Sequence, residues 1–255
     1  MSYTKINETT WNRWSNQGIR WSQPVTPETF AKAKRGDWDI SLTTQVFVPK
    51  NWFGDLQGKK VLGLASAGGQ QCPILVAAGA EVTIMDLSIG QLEKEAVVAE
   101  REGYHINIVK SDMTETFPFE DEEFDLIFHP VSNCFVADLE PIWKECYRVL
   151  KPGGRLLSGF CNPELYMFNN ASKPEEIRLI HPLPYNPLTD FNDEERQTII
   201  EDDGLQFSHS LETQIRGQLQ AGFLLKDFYE DFNKDADYLL STYFPLFFAS
   251  LAIKF

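Results

Sequence analysis

Apolar and polar positions change their period along this chain, and each change marks an element. Between residues 58 and 163, short β-branched or apolar runs alternate with longer stretches in which apolar residues recur every three or four positions. The short runs lie at 61–65, 81–86, 106–112, 120–130 and 155–163, and the longer ones at 70–79, 89–103 and 138–154. Strands alternating with helices predict βαβ units and a parallel sheet, with right-handed crossovers that place helices on both faces. Lys151-Pro152-Gly153-Gly154 predicts a helix stop and the launch of the fifth strand.

Outside this region the pattern differs. Residues 1–55 show no sheet-like alternation but carry Trp11, Trp14, Trp21, Trp38 and Trp52. Helices are predicted near 9–17 and 27–35, and the segment reads as a helical cap. Residues 163–208 lose periodicity, with prolines at 174, 182, 184 and 187 and acids clustered at 193–203, which predicts an insertion on the substrate side. Residues 209–255 regain it, with a helix ended by Gly222, a strand, and an apolar closing strand at 247–255. The expected organisation is one domain: cap 1–55, cofactor-binding core 56–162, insertion 163–208, and closing helix and strands 209–255.

Composition narrows the function. A net charge of −14 argues against a phosphate-backbone partner or an anionic membrane surface. The N-terminal residues lack an apolar signal core, and the longest apolar stretch, 243–253, is broken by Pro245 and Ser250. A soluble, cytoplasmic protein acting on a small molecule is the expectation. Cys72, Cys134, Cys146 and Cys161 are scattered, without Cys-x-x-Cys or histidines at ligand spacing, so buried thiols are expected and a metal site is not.

The first strand runs into a turn of small residues, Gly63-Leu64-Ala65-Ser66-Ala67-Gly68-Gly69, and the second strand ends in Asp86. This arrangement suits a nucleoside ligand, with the backbone passing close beneath it and a carboxylate gripping ribose hydroxyls. Asp112 follows the third strand, and His129 ends the fourth, just before Ser132 and Asn133.

Their order and spacing, with Lys151-Pro152-Gly153-Gly154 and the Ala221-Gly222-Phe223 segment, resemble class I S-adenosylmethionine-dependent methyltransferases. Within that superfamily the chain is similar to a bacterial group with an LASGGGQQ-like first loop. The resemblance implies a Rossmann-like, mostly parallel seven-stranded sheet with helices on both faces and an antiparallel last strand. It implies S-adenosyl-L-methionine as cofactor, held by Ala65, Ser66, Ala67, Gly68, Asp86, Leu87, Gln91, Asp112, Met113 and His129. Asp86 would take the ribose and Asp112 the adenine amine. His129 would lie beside the transferred methyl and is the candidate base. Trp14, Trp21, Asn133, Tyr166, His209 and Arg216 are the candidate substrate contacts. The first loop departs from the family's acidic-x-Gly-x-Gly-x-Gly: Gly63 stands in place of the acid, and Ala65 and Ala67 in place of glycines. Both alanines are therefore expected at negative φ.

Two other functions fit part of this pattern. Gly63-x-Ala65-x-x-Gly68 with Asp86 approximates a dinucleotide fingerprint, so a NAD(P)-dependent oxidoreductase is an alternative. Its Tyr147-x-x-x-Lys151 pair falls at a helix end, however. A catalytically silent, methyltransferase-like binding protein is the other.

Overall fold

The computed structural model describes residues 2–232 and 239–255. Helices α1 (Tyr3–Gln17), α2 (Pro27–Lys34) and α3 (Lys50–Phe53) precede the sheet. Then come β1 (Lys60–Leu64), α4 (Gln71–Ala77), β2 (Glu81–Asp86), α5 (Ile89–Glu102), β3 (Asn107–Lys110), β4 (Phe124–His129), α6 (Glu140–Val149) and β5 (Leu150–Cys161). After the insertion, with α7 (Asp193–Asp202), follow α8 (Gly217–Ala221), β6 (Phe223–Asp231) and β7 (Phe247–Lys254). The seven strands lie in the order β3-β2-β1-β4-β5-β7-β6. β1 to β5 pair in parallel, and β7 is antiparallel to β5 and β6. Lys151 to Gly154, expected as a turn, lie within β5, where the ladder with β4 shifts register between Phe124 and Leu126.

Strand alternation divides the core in two. Val61, Leu126, Phe128 and Leu157 pack on one face with α4, α5 and the segment 33–56. Leu62, Leu64, Ile127 and Leu156 pack on the other with Ile142, Trp143, Cys146 and Val149 of α6. Covered on both faces, the central strands are almost wholly apolar.

α1 docks differently. Its buried residues are Asn7, Glu8, Thr10 and Ser15. The Ser15 hydroxyl donates to Gly90 O (2.7 Å), while Asn12 Oδ1 accepts from Ser88 Oγ (2.7 Å) and Gly90 N (3.0 Å). The Asn7 amide donates to Phe135 O and Leu205 O and accepts from Leu205 N. This polar clasp joins α1 to α5, to the turn after β4 and to the insertion. It leaves Trp11 and Trp14 half-buried, facing the cavity described below. No helix among the described residues is long and apolar enough to cross a membrane.

The segment before α3 crosses the ends of β4 and β5. Leu42 O accepts from Val131 N (3.0 Å) and lies so near Gly159 that a Cβ there would sit 2.3 Å from it. Thr44, Gln45 and Val46 donate their amides to the buried Asp231 carboxylate of β6, at 3.1, 2.8 and 3.1 Å. Gly159→Ala is expected to destabilise the fold by about 3 kcal/mol, because backbone cannot yield as a side chain can. Chemical denaturation checks this, and an unchanged midpoint would contradict the close approach.

Candidate active site

A cavity of about 730 Å³ opens at the carboxyl ends of the parallel strands. Parallel sheets form such clefts where the strand order reverses, here between β1 and β4. Ala65, Ser66 and Ala67 line it beyond β1, Asp86 and Leu87 beyond β2, and Ser111, Asp112 and Met113 beyond β3. Pro130 to Ser132 line it beyond β4 and Cys161 at the end of β5.

The first loop turns more sharply than its alanines suggest. Ala65 adopts φ +48°, against the expectation of a negative angle, while Ala67 stays out of that region. The left-handed conformation costs an alanine about 1 kcal/mol; the Ala65 amide is held there by Met85 O at 2.8 Å. The lack of an acid at Gly63 also has a steric cause. A Cβ on Gly63 would lie 2.4 Å from Cys72 Sγ and 2.7 Å from Ser66 Oγ, so α4 packs where a side chain would otherwise start.

The polar groups of the lining match a nucleoside. Asp86 accepts from Ser88 N (2.9 Å) and Ala67 N (3.3 Å), which leaves lone pairs for a diol. Burial raises its carboxyl to about 6, against the pull of those amides. Ser88, not Asp86, caps α5. Asp112 commits Oδ1 to the Thr114 amide and hydroxyl, leaving its other oxygen for a ligand. Gln91 Oε1 is buried with no hydrogen-bond partner in the protein, yet its residue lines the cavity. An orphaned buried acceptor beside two carboxylates is what a hydroxyl- and amine-bearing ligand would satisfy, so the residues present fit S-adenosylmethionine.

Beneath the loop lies a second carboxyl that sequence reasoning did not single out. Glu95 of α5 is fully buried and accepts from Gly69 N at 2.7 Å, while Oε2 has no partner. Burial raises it to about 8, the Gly69 amide opposes this, and Asp86 adds to it. A neutral acid thus clamps the loop from below.

Several expected site residues lie elsewhere. His129 is wholly buried and outside the lining; Nδ1 bonds Leu64 O (3.0 Å) and Nε2 lies 2.7 Å from Asn133 Oδ1. Burial lowers its pKa, and with Nδ1 joining β4 to β1 and Nε2 facing Asn133 of the following turn, neither nitrogen is open to a substrate proton. Asn133 is equally buried and gives its amide to Gln214 (2.9 Å). His209 donates to the carbonyls of Asn133 and Val136. The Tyr166 hydroxyl donates to Gln206 at 2.9 Å, and its ring stacks on Tyr185. Arg216 pairs on the surface with Glu212 of its own helical turn. Gly68 sits under the cap, where a Cβ would meet Trp21 O at 2.7 Å. None of these five side chains, nor Gly68, lines the cavity.

Trp14 and Trp21 do line it, with Trp11, Phe135, Thr43, Thr44, Leu165, Phe168, Asn169, Gln206 and Phe247. Trp11, Trp14 and Phe135 form a trio of edge-to-face rings, with centroids 5.0, 5.2 and 6.2 Å apart. The tryptophan cluster and the substrate-side placement of the 163–208 insertion are the sequence signals for this wall.

Comparison with known proteins agrees with this geometry. The "Methyltransferase domain" family matches residues 62–158. A Bacillus subtilis protein, "Uncharacterized methyltransferase YbaJ", is 42% identical over 97% of both chains. An S-adenosylmethionine-dependent methyltransferase from Mesorhizobium loti superposes with a TM-score of 0.61 at 17% identity, over 80% of this chain and 95% of that one. A geranyl diphosphate methyltransferase solved with its cofactor gives 0.56 at 15% identity, over 80% and 82%. The chain belongs to the class I S-adenosylmethionine-dependent methyltransferases, and S-adenosylmethionine is its methyl donor. The oxidoreductase alternative is thereby set aside.

Asp86→Asn is expected to weaken S-adenosylhomocysteine binding about 10–100-fold at pH 7.5. Wild-type affinity falls as pH drops below about 6 and Asp86 takes its proton, a dependence the variant lacks. Calorimetry across pH reads both effects. Glu95 holds its proton up to about pH 8 when folded but only to its ordinary 4.5 when unfolded. Its contribution to stability is therefore complete below 4.5 and is lost as pH rises toward 8. Glu95→Gln keeps the acceptor for Gly69 and removes the titration. It should be about 1–3 kcal/mol more stable than wild type at pH 7, with the gap closing toward pH 5, as measured by urea unfolding.

Proposed function

We propose that this enzyme methylates a small, largely apolar acceptor that is neutral or cationic, by in-line displacement. The observation that carries this is the composition of the lining. Among the described residues it holds no Lys, Arg, His or Glu, but three carboxylates, Asp86, Asp112 and Asp203, and the Trp11–Trp14–Phe135 trio. An anionic acceptor would find no counter-charge there and would meet carboxylates instead. Apolar and cationic groups suit the aromatic rings.

When bound, S-adenosylmethionine supplies a methyl group activated by its sulfonium. The chain's own residues then have three tasks. Asp86, Gln91 and Asp112 bind the nucleoside. Ala65, Ser66 and Ala67 stay small so that the donor can lie close to the backbone. The aromatic wall orients the acceptor and excludes water, which is where most of the rate would come from. His129 has no part in proton transfer. Asp203, which burial and Asp202 push upward, is the remaining lining carboxylate able to take a proton. An acceptor that loses its proton only as the new bond forms needs no base.

The test is S-adenosylhomocysteine release with a panel of neutral, cationic and anionic small molecules. Turnover is expected in the first two classes, with Trp14→Ala raising KM about tenfold or more and leaving cofactor affinity intact. Turnover confined to phosphate- or carboxylate-bearing compounds would overturn the reading. Tight cofactor binding without turnover on any class would favour a silent binding protein.

A further inference from the structure

The four cysteines, scattered in sequence, are not scattered in space. β4 and β5 pair in parallel, with His129 opposite Ser158. Their carboxyl ends therefore lie side by side. The chain leaving β4 makes a tight turn, Asn133–Phe135, that carries Cys134. β5 continues three residues past Ser158 to end at Cys161. Cys134 and Cys161 pack in one small cluster with Leu246 and Phe247, and both line the cavity at 5% and 8% exposure. Each thiol's ionisation responds to the other sulfur and to the Tyr166 hydroxyl.

This pair is unlike the other two thiols. Cys72 is sealed between Gly63 and Ser66, and Cys146 lies on the core-facing side of α6; both are 0% exposed and neither reaches the cavity. Burial, with the Glu145 charge adding to it, pushes Cys146 well up, and for Cys72 burial and Glu95 act together. In the pair, the neighbouring sulfur holds the Cys161 thiol down and pushes the Cys134 thiol up. Two thiols side by side at a cavity wall can serve one as the attacking and the other as the resolving sulfur.

We propose that Cys134 and Cys161 form a redox-modifiable dithiol on the cavity wall, closed to a disulfide by a small peroxide oxidant and reopened by a dithiol reductant. The Cys161 thiolate attacks one oxygen of hydrogen peroxide; the O–O bond breaks, a sulfenic acid forms and hydroxide leaves. The Cys134 thiolate attacks that sulfur; the S–S bond forms and a second hydroxide leaves. The two thiol protons convert the hydroxides to two waters, and the sulfurs together lose two electrons to the peroxide. The bond ties the turn after β4 to the end of β5. It acts on the wall across β1 from Asp86, at the end of β2, and Asp112, just past β3, and so changes acceptor space while leaving the nucleoside residues in place.

The test uses the whole wild-type protein, treated with hydrogen peroxide, denatured, alkylated and digested. Four titratable thiols should fall to two, a peptide cross-linked through Cys134 and Cys161 should appear by mass spectrometry, and dithiothreitol should restore all four. Cys134→Ser should instead trap a sulfenic acid at Cys161, detected with dimedone. A thiol count that stays at four, loss at Cys72 or Cys146, or single oxidation of Cys161 in wild type without the cross-link would overturn the proposal.

Discussion

β1 and β4 pair in parallel from Val61 with Leu126 to Gly63 with Phe128, yet their onward helices leave to opposite faces. α4 returns to β2 over one core and α6 returns to β5 over the other. The two carboxyl ends are therefore left without a helix between them, and every loop that matters converges on that gap. His129 reinforces the junction, since its ring bridges the end of β4 to Leu64 O at the end of β1. A histidine at this place acts as a strut, because the geometry that brings it near the site also uses up its nitrogens.

Close packing sets the chemistry of the first loop. Cys72 and Ser66 fill the space above Gly63, which excludes an acid there, and the loop's hydrogen bonds run to Met85 O above and to Glu95 below. Alanine is tolerated at position 65 because tertiary contacts hold it in a conformation it disfavours alone. Asp86 and Glu95 are buried acids with different environments. One faces the cavity and keeps a pKa near 6; the other is sealed and stays neutral to about 8. Burial opposes ionisation in both, and it is the amide donors and access to the cavity that separate them.

The N-terminal helix closes the site through polar contacts. Asn7, Asn12 and Ser15 each meet backbone groups, and such directional bonds fix its angle more narrowly than an apolar stripe would. Trp11 and Trp14 are thus freed from packing and given to the cavity. The insertion completes the enclosure through Leu165, Phe168 and Gln206.

The alternation of apolar runs was enough to determine the parallel sheet, its helices and the positions of Asp86 and Asp112, because strand ends and the residues just past them are local features. The closing β7, antiparallel between β5 and β6, agrees with the family resemblance. What a residue near a strand end does was not local. His129, Asn133 and His209 have chemistry suited to catalysis, but their partners come from β1, the turn after β4 and the segment before α8, and those partners occupy them. Glu95 reads as an ordinary helix glutamate until the first loop is folded over it. Cys134 and Cys161 meet only because two strands end together. Sequence determined where polar groups could stand; only tertiary structure decided which were already satisfied, since satisfaction depends on atoms brought from distant parts of the chain.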